Sequence, residues 1–349
     1  MEHFEKHLIL SSNTIKDALL KLNVLGADAI LFVVSSDKKL LGSLTDGDVR
    51  RGLLNNLSID NLVIDFIQPN PIFIRKNQSN ISEIREFREK NIKLVPVLDE
   101  NEVLVNIINL RIVKTYLPID AVIFAGGEGK RLLPLTKSIP KPMLKVGEKP
   151  IIEHNIDWML KFGIDDFWIT IYYLGEKIKK YLGNGEDKKV KIKYVQELKP
   201  LGTIGALSMI KDFIHDTILV ANSDVLTNID YEDFYMNFIE SGADISVATI
   251  PYVVEVPYAV FETCNGFVTR FKEKPTYTYY SNAGIYLMKK SIIKNIPDDL
   301  FYNATDLMQF IISKQGKVIS YPLRSYWLDI GRHEDFKRAQ EDIKHIGFN

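Results

Sequence analysis

The chain has 349 residues, 46% of them hydrophobic and 26% charged, which suits a globular protein and leaves room for two domains. Its 44 Lys and Arg residues balance 45 Asp and Glu residues, and a net charge of −1 excludes a global field that attracts nucleic acid or anionic membranes. The single cysteine, Cys264, excludes an internal disulfide and a cysteine-based zinc site.

The first third of the chain carries a helix–strand–turn–strand pattern twice. The first copy predicts a helix that is capped by Thr14 and ends at Gly26, strands at 30–34 and 40–44, and a further helix that opens at 45–48. The second copy predicts a helix at 81–89 and strands at 94–98 and 103–108. This α+β repeat resembles a tandem pair of cystathionine β-synthase (CBS) domains, the Bateman module.

The most specific part of that resemblance is G-x-L-T-D-G-D-x-R-R, from Gly42 to Arg51. The resemblance implies that Thr45 and Asp48 hold the phosphate and ribose of an adenine nucleotide. The alternative is an ordinary helix cap, a role that Thr and Asp often have, and both interpretations stay open. The second copy lacks the motif, because it has Asn-Leu-Arg-Ile at 109–112, so we expect one nucleotide site at most.

A few residues, 116–120, separate the repeat from the rest of the chain, and we place a domain boundary there. The prediction is a regulatory module at 1–118 and a catalytic domain at 119–349.

The catalytic domain opens with an apolar run followed by a basic glycine-rich loop, D-A-V-I-F-A-G-G-E-G-K-R-L-L-P-L-T-K-S-I-P-K-P at 120–142. The apolar run predicts a buried strand of a parallel sheet. The glycines leave backbone N–H groups free to donate to phosphate oxygens, and the three prolines argue against a helix directly after them. A Walker A loop is excluded because Arg131, not Ser or Thr, follows Lys130.

This loop closely resembles the signature of the sugar-1-phosphate nucleotidyltransferases. The resemblance implies that six of its residues contact the nucleotide: Ala125, Gly126, Gly127, Gly129, Lys130 and Arg131. It also implies that Arg131 holds the leaving phosphates and that Lys141, between two prolines, lies at the reacting phosphates.

Downstream, strands alternate with helices, which predicts a Rossmann-like, mainly parallel α/β sheet with ligands beyond the carboxyl ends of its strands. A segment at 196–207 follows one such strand and resembles the family's base-binding loop, which implies nucleotide contacts from Gln196, Glu197, Gly202 and Thr203. The alternative is a plain Gly/Pro loop that opens a helix at Thr203.

Two carboxylates have the positions expected of magnesium ligands. Asp224 ends the strand at 217–221 within Asn222-Ser223-Asp224, where the family has N-G-D, so Ser223 is a departure. Asp329 belongs to a W-x-D-x-G motif near the end of the chain. Magnesium takes one or two carboxylates together with substrate phosphates. The resemblance implies that Asn222 also contacts the nucleotide.

Short segments at 258–262, 266–271 and 283–288 predict an antiparallel ribbon that forms the sugar side of a cleft. The same stretch contains an E-K-P motif and an N-A-G-I-Y motif. The resemblance implies that four residues of these motifs contact the sugar: Glu273, Lys274, Asn282 and Gly284. The alternative, for an E-K-P without the other motifs, is an exposed turn.

The resemblance implies transfer of a nucleotidyl group from NTP to a sugar 1-phosphate, giving an NDP-sugar and pyrophosphate, with Arg131, Lys141, Asp224, Lys274 and Asp329 as catalytic residues. Guanine is favoured, because Q-E before P-L-G-T-x-G, together with N-A-G-I-Y and the N-terminal module, resembles the guanylyltransferases for hexose or amino-sugar 1-phosphates. A carboxylate such as Glu197 can also accept both N–H groups of the guanine edge. The alternative is that Glu197 points to solvent and the backbone alone reads the base. Glucosamine 1-phosphate is placed ahead of mannose 1-phosphate, because CBS-bearing relatives resemble the amino-sugar (legionaminic acid) route. The alternatives are a uridylyl- or thymidylyltransferase and, more distantly, a non-catalytic sensor.

No signal core opens the chain, and no run approaches the ~20 apolar residues of a membrane span, so we expect a cytoplasmic protein without membrane or nucleic-acid partners. A homo-oligomer is also expected.

Overall fold

The computed structural model describes residues 2–76, 81–188 and 190–346. The chain forms two compact units: one comprises Met1–Ile119, Met159–Phe167 and Gly183–Ile192, and the other comprises Asp120–Trp158, Trp168–Leu182 and Lys193–Asn349. The domain boundary between residues 118 and 119 stays a prediction.

The N-terminal part of the first unit contains two small sheets. Its helices are α1 (Glu2–Glu5), α2 (Ile15–Leu25), α3 (Asp46–Leu54) and α4 (Ile81–Glu89). The first sheet has the order β1 (Leu8–Leu10), β2 (Ile30–Val34), β3 (Leu40–Thr45) and β4 (Gln68–Pro69). The second sheet has the order β5 (Ile74–Arg75), β6 (Leu94–Leu98) and β7 (Leu104–Asn109).

The two sheets share one pairing pattern, which confirms the predicted repeat. In each, a short strand pairs in parallel with the next strand, which forms an antiparallel hairpin with the one after it. The short leading strands β1 and β5 were not predicted. The assignment of this repeat to the CBS family stays a prediction.

The first copy shows how local sequence sets these elements. Thr14 and Asp17 form a reciprocal capping box at the start of α2, and Gly26 ends the helix with a φ of +57°. The apolar face of α2 packs with β2 and β3 in one core that includes Ile15, Leu31 and Leu44. A further core joins the two sheets, and its members include Phe32, Leu94 and Leu104.

From residue 119 onward the chain builds a seven-stranded central sheet, in the order β12-β11-β8-β13-β18-β15-β19. Its strands are β8 (Ile119–Phe124), β11 (Asp166–Ile171), β12 (Lys191–Gln196), β13 (Thr217–Asn222), β15 (Ile245–Glu255), β18 (Thr276–Lys289) and β19 (Val318–Pro322). The helices are α5 (Ile151–Leu160), α6 (Gly175–Leu182), α7 (Tyr231–Ser241), α8 (Ala304–Ser313) and α9 (His333–Asp342).

Three two-stranded ribbons complete this part of the chain. They are β9 (Lys145–Val146) with β10 (Lys149–Pro150), β14 (Val225–Thr227) with β20 (Trp327–Asp329), and β16 (Val260–Cys264) with β17 (Phe267–Lys272). The prediction of an antiparallel ribbon is confirmed for 258–262 and 266–271, which form β16 and β17. It is wrong for 283–288, which lies within β18 and pairs with β13 and β15 in the central sheet. The far ends of β15 and β18 pair with each other, from Ile250↔Ser281 to Glu255↔Thr276.

The predicted α/β fold with a mainly parallel sheet is confirmed, with β18 antiparallel to both of its neighbours. The apolar runs of β8 and β13 are buried almost throughout, as central strands require. These two strands are neighbours, and the Ser223 N–H donates to the Phe124 carbonyl oxygen at 3.2 Å. The glycine loop after β8 and Asn222-Ser223-Asp224 after β13 therefore lie side by side at one edge of the sheet.

No helix within residues 2–76, 81–188 and 190–346 is both long and apolar enough to cross a membrane.

Candidate active site

A cleft of about 490 Å³ lies at this edge of the sheet. Most of the predicted nucleotide contacts line it, together with Asp224, one of the two predicted metal ligands. The lining residues from the predicted set are Gly126, Gly127, Gly129, Lys130, Arg131, Lys141, Glu197, Gly202, Thr203, Asn222 and Asp224. Ala125 is buried behind the loop, where its N–H donates to Thr170 at 2.9 Å, and Gln196 is exposed outside the lining.

The glycine loop is held by close contacts on one side and is open on the other. Gly129 has a φ of +63°, and a β carbon there would lie 2.9 Å from Cγ2 of Thr136. The Thr136 hydroxyl donates to the Gly129 carbonyl oxygen at 2.9 Å. Nothing lies within 4 Å of the β-carbon position of Gly127. The loop therefore presents its backbone to the cleft without a side chain in front of it. As predicted, only short 3₁₀ turns follow, at Lys130–Leu132, Leu135–Lys137 and Lys141–Met143.

The two predicted metal ligands, far apart in sequence, meet through the ribbon of β14 and β20. Val225 pairs with Asp329 in this ribbon, and the Ile330 N–H donates to the Asp224 carbonyl oxygen at 3.0 Å. The antiparallel register places both carboxylates at the same end of the ribbon.

Lys141 lies between these carboxylates. Its ammonium group contacts Oδ2 of Asp224 directly and lies 3.9 Å from Oδ1 of Asp329. The Lys141 side chain is only 9% exposed, whereas those of Asp224 and Asp329 are 26% and 44% exposed. A buried cation therefore contacts two carboxylates that remain partly exposed.

Arg131 belongs to the same charged cluster. A β carbon on Gly331 would lie 3.3 Å from the Arg131 guanidinium and 3.4 Å from the Asp329 carboxylate, so both groups flank this glycine. Burial and the charge of Asp224 raise the pKa of Asp329, although Lys141 and Arg131 act in the opposite direction. Lys130, by contrast, is 77% exposed and pairs with Glu128 at 3.0 Å.

Asp224 and Asp329 fit a magnesium ion. No group of three or more His, Cys, Asp or Glu side chains that could hold a metal occurs in the described parts of the chain. Magnesium, however, uses one or two carboxylates together with substrate phosphates and water. The Lys141 contact shows that this pair already attracts one cation. These two residues are therefore the candidates to hold the metal.

Glu197 is 5% exposed and faces the cleft, so the structure rules out the alternative that it points to solvent. Its Oε2 accepts a hydrogen bond from the Leu201 N–H at 3.1 Å. A β carbon on Gly126 would lie 3.1 Å from its Oε1, so that oxygen lies against the glycine loop. Burial raises the pKa of Glu197. Gln196 instead donates its amide to the Glu197 carbonyl oxygen at 3.1 Å.

The predicted sugar contacts lie outside the lining of this cleft. Glu273 and Lys274 are exposed in the turn between β17 and β18, and Lys274 has a φ of +42°. Asn282 and Gly284 belong to β18, where Oδ1 of Asn282 accepts from the Gly284 N–H at 2.9 Å. A β carbon on Gly284 would lie 2.5 Å from Nδ2 of Asn222, so this glycine permits close approach to a cleft residue. Gly284 therefore packs β18 against the cleft residue Asn222.

Some lining residues were absent from the predicted set, and Tyr172, Ser223 and Phe301 are among them. Tyr172 directly follows β11, so its position beyond a strand end could have indicated it. Ser223 was noted as a departure from N-G-D without a role. Phe301 belongs to no motif, and no sequence signal indicated it.

In the first unit, Thr45 and Asp48 form a reciprocal capping box at the start of α3. The Thr45 hydroxyl donates to Oδ2 of Asp48 at 2.6 Å, and Gln68 and Arg51 contact Oδ1. This geometry supports the helix-cap interpretation; the nucleotide role stays a prediction.

Comparisons with known proteins identify relatives of this chain. The chain is 28% identical over 228 residues to mannose-1-phosphate guanyltransferase beta-A of Xenopus laevis, and the match covers 62% of each protein. A Bacillus anthracis protein assigned as glucose-1-phosphate thymidylyltransferase, solved with sucrose, superposes with a TM-score of 0.54 at 26% identity, covering 66% of this chain and 97% of that one. HddC from Yersinia pseudotuberculosis, complexed with GMP-PN, gives a TM-score of 0.50 at 25% identity, covering 64% and 99%.

The match therefore spans about 62% of the length of the curated relatives. The model of the nucleotidyl transferase family matches residues 120–346, which is well over half of the chain and includes every residue of the cleft. The chain belongs to the nucleotidyl transferase family.

Proposed function

We propose that this protein transfers a guanylyl group from GTP to a sugar 1-phosphate, giving a GDP-sugar and pyrophosphate. The observation that carries the proposal is the contact of Lys141 with Asp224 and Asp329 beside an open glycine loop. Cationic groups, free backbone amides and a carboxylate pair are what two reacting phosphates require.

In the proposed reaction, an oxygen of the sugar phosphate attacks the α-phosphorus of GTP in line. The bond from that phosphorus to its bridging oxygen breaks, and pyrophosphate leaves with the electron pair. The attacking oxygen is already anionic, so the reaction needs no general base. Catalysis then consists of positioning and charge neutralisation.

Each charged side chain has a role in this scheme. Arg131 and the amides of Gly126, Gly127 and Gly129 hold the β- and γ-phosphates, with Lys130 at the exposed rim. Lys141 neutralises charge at the reacting phosphates from its buried position. Asp224 and Asp329 would hold Mg²⁺, which supplies further neutralisation of phosphate charge when bound.

The base assignment rests on Glu197. A buried carboxylate beside the glycine loop can accept the N1–H and N2–H of guanine, whereas uracil and thymine would turn carbonyl oxygens toward it. The guanylyltransferase relative and the GMP-PN complex of HddC support guanine. The thymidylyltransferase-like structure keeps a thymidylyl- or uridylyltransferase as the second candidate.

For the sugar, Glu273, Lys274, Asn282 and Gly284 are the proposed contacts, and the first two reach a substrate only if their turn approaches the cleft. Two sugars have support. The name of the relative supports mannose 1-phosphate, and the resemblance of the N-terminal repeat to CBS modules supports glucosamine 1-phosphate. An adenine nucleotide at Thr45 and Asp48, a homo-oligomer and a cytoplasmic location complete the proposal.

The test is pyrophosphate release from the full chain with Mg²⁺, five nucleoside triphosphates and a panel of sugar 1-phosphates. Release that requires GTP and one sugar 1-phosphate supports the proposal, and the panel ranks glucosamine 1-phosphate against mannose 1-phosphate. Release with a pyrimidine nucleotide would select the second candidate. Nucleotide binding without release under any combination would indicate a sensor.

A further inference from the structure

We propose that Phe301 stacks on the nucleobase and supplies much of the affinity for the nucleotide, independently of which base is bound. This inference rests on the proposed function, because it places a nucleoside triphosphate in the cleft. Phe301 lines the same cleft as Glu197 and the glycine loop. In this proposal Glu197 accepts hydrogen bonds from the edge of the base, and Phe301 stacks on its face.

The segment that carries Phe301 is fixed to the base-binding loop by backbone hydrogen bonds. The Tyr302 N–H donates to the Leu201 carbonyl oxygen at 3.0 Å, and the Ile204 N–H donates to the Tyr302 carbonyl oxygen at 3.2 Å. Thr203 adds a side-chain bond, because its hydroxyl accepts from the Ala304 N–H at 2.9 Å. The backbone directly after Phe301 is therefore paired with the base-binding loop.

Two glycines of the loop make this approach possible. A β carbon on Gly202 would lie 2.6 Å from the Tyr302 carbonyl oxygen, and one on Gly205 would lie 2.7 Å from the Leu300 carbonyl oxygen. Any side chain at these positions would push the two segments apart. The loop sequence thus places Phe301 next to the proposed base site.

The Phe301 side chain is 64% exposed although its backbone is held in place. An exposed aromatic ring contributes little to the core, but it presents an apolar face to a ligand. Stacking on an aromatic side chain tolerates different bases, because every base has a π-face. Phe301 should therefore affect binding strength, and Glu197 should affect base preference.

The experiment compares the full-length protein with Phe301→Ala, Phe301→Trp and Phe310→Ala. Phe310 is a partly exposed phenylalanine on α8 that does not line the cleft, so its substitution is the matched control. Binding of GTP and UTP in the presence of Mg²⁺ is measured by calorimetry, and KM and kcat are measured by pyrophosphate release.

Phe301→Ala is expected to weaken GTP binding about tenfold, within the range found when a stacking aromatic is removed. The KM for GTP should rise in parallel, any measurable UTP binding should weaken by a similar factor, and the KM for the sugar 1-phosphate should not change. Phe301→Trp should restore binding, and Phe310→Ala should bind GTP like the wild type. Unchanged GTP binding in Phe301→Ala, or an equal loss in Phe310→Ala, would overturn the proposal.

The proposed function can fail separately. If the wild type binds GTP but releases no pyrophosphate, the guanylyltransferase proposal fails and the binding comparison still decides the role of Phe301. If the wild type binds no nucleotide, both proposals fail.

Discussion

The Leu201 N–H donates a hydrogen bond to Oε2 of Glu197 at 3.1 Å, so the carboxylate proposed to read the base also holds the loop beside it. Its other oxygen lies against Gly126. Proposed base recognition and the geometry of the loop therefore both depend on the buried Glu197 side chain. A substitution that keeps the shape of this side chain but removes its charge separates the two effects.

Glu197→Gln keeps an acceptor for Leu201 but removes the charge. We expect kcat/KM for GTP to fall about 10- to 100-fold, as for loss of a hydrogen bond to a charged group. The measurement is kcat/KM for GTP, UTP, dTTP, CTP and ATP in both proteins. An unchanged base preference in the variant would clear Glu197 of the role, and a wild-type preference for a pyrimidine would remove the guanine assignment.

The same variant has a stability signature. Because the pKa of Glu197 is raised in the folded protein, ionisation costs stability as pH rises from the ordinary carboxyl pKa through the folded pKa. Glu197→Gln should therefore melt at a higher temperature than the wild type above that window, and the difference should disappear below about pH 4. Equal melting temperatures at neutral pH would contradict this expectation.

Asp224→Asn and Asp329→Asn should each lower kcat about 100-fold or more, because each removes a charge from the proposed metal site without changing its shape. The pKa of Asp329 is raised by burial and by Asp224, so activity should also fall as pH drops through that raised pKa. The readout is kcat against Mg²⁺ concentration and pH. Asp298→Asn, at an 81% exposed side chain that pairs with Lys211, is the control. Unchanged turnover at limiting Mg²⁺ would remove the mutated residue from the site.

Lys141→Met should also lower kcat about 100-fold, because it removes the cation placed at the reacting phosphates. It removes the cation that contacts Asp224 directly and leaves Arg131 as the cation beside Asp329, so the melting temperature should fall in the absence of Mg²⁺ and recover in part when Mg²⁺ is added. Lys130→Met is the comparison, since Lys130 is exposed and pairs with Glu128. A similar loss of kcat in both variants would argue against a special role for the buried lysine.

Gly284→Ala tests the packing between β18 and the cleft residue Asn222. Gly284 and Gly242 both have positive φ, +73° and +64°, but only the added β carbon at Gly284 meets a neighbour, Nδ2 of Asn222 at 2.5 Å. Both variants should lose about 1–2 kcal/mol from backbone strain. Only Gly284→Ala should also lower kcat/KM, because it displaces Asn222. Equal kcat/KM in the two variants would show that this contact does not matter for activity.

Asp48→Asn separates capping from nucleotide binding in the first unit. Burial opposes the charged form of Asp48, but hydrogen bonds from Thr45, Gln68 and Arg51 outweigh it and lower the pKa of Asp48. The resulting stability is present above the ordinary carboxyl pKa and is lost as pH falls through the lowered folded pKa. The variant should melt earlier than the wild type at neutral pH, and Asp46→Asn, at an exposed position of the same turn, should not. Calorimetry with adenine nucleotides then shows whether a ligand also depends on Asp48.

The sequence was informative where a local signal and the structure agree. Thr14 and Gly26 delimit α2 because a capping box and a glycine stop act within one turn of the chain. Asp224 and Asp329 were predicted from motifs, although only the pairing of β14 with β20 explains why they meet.

Other features depend on tertiary contacts that local patterns do not carry. The far ends of β15 and β18 are mostly exposed on both faces, so they lack the alternation that predicts a strand. The alternative for 196–207 opens a helix at Thr203, but the structure has a short 3₁₀ turn at Gly205–Met209, and the loop before that turn pairs with the segment that carries Phe301. Phe301 itself could not be distinguished from any other exposed phenylalanine.

The pairing of β14 with β20 also determines when the proposed metal site can form during protein synthesis. A ribosome adds about 5–20 residues per second, so Asp329 emerges roughly 5–20 s after Asp224. Until then a nascent chain holds Lys141 and Asp224 but not the second carboxylate. Translation therefore has to pass Asp329, and β20 has to pair with β14, before the proposed metal site is complete.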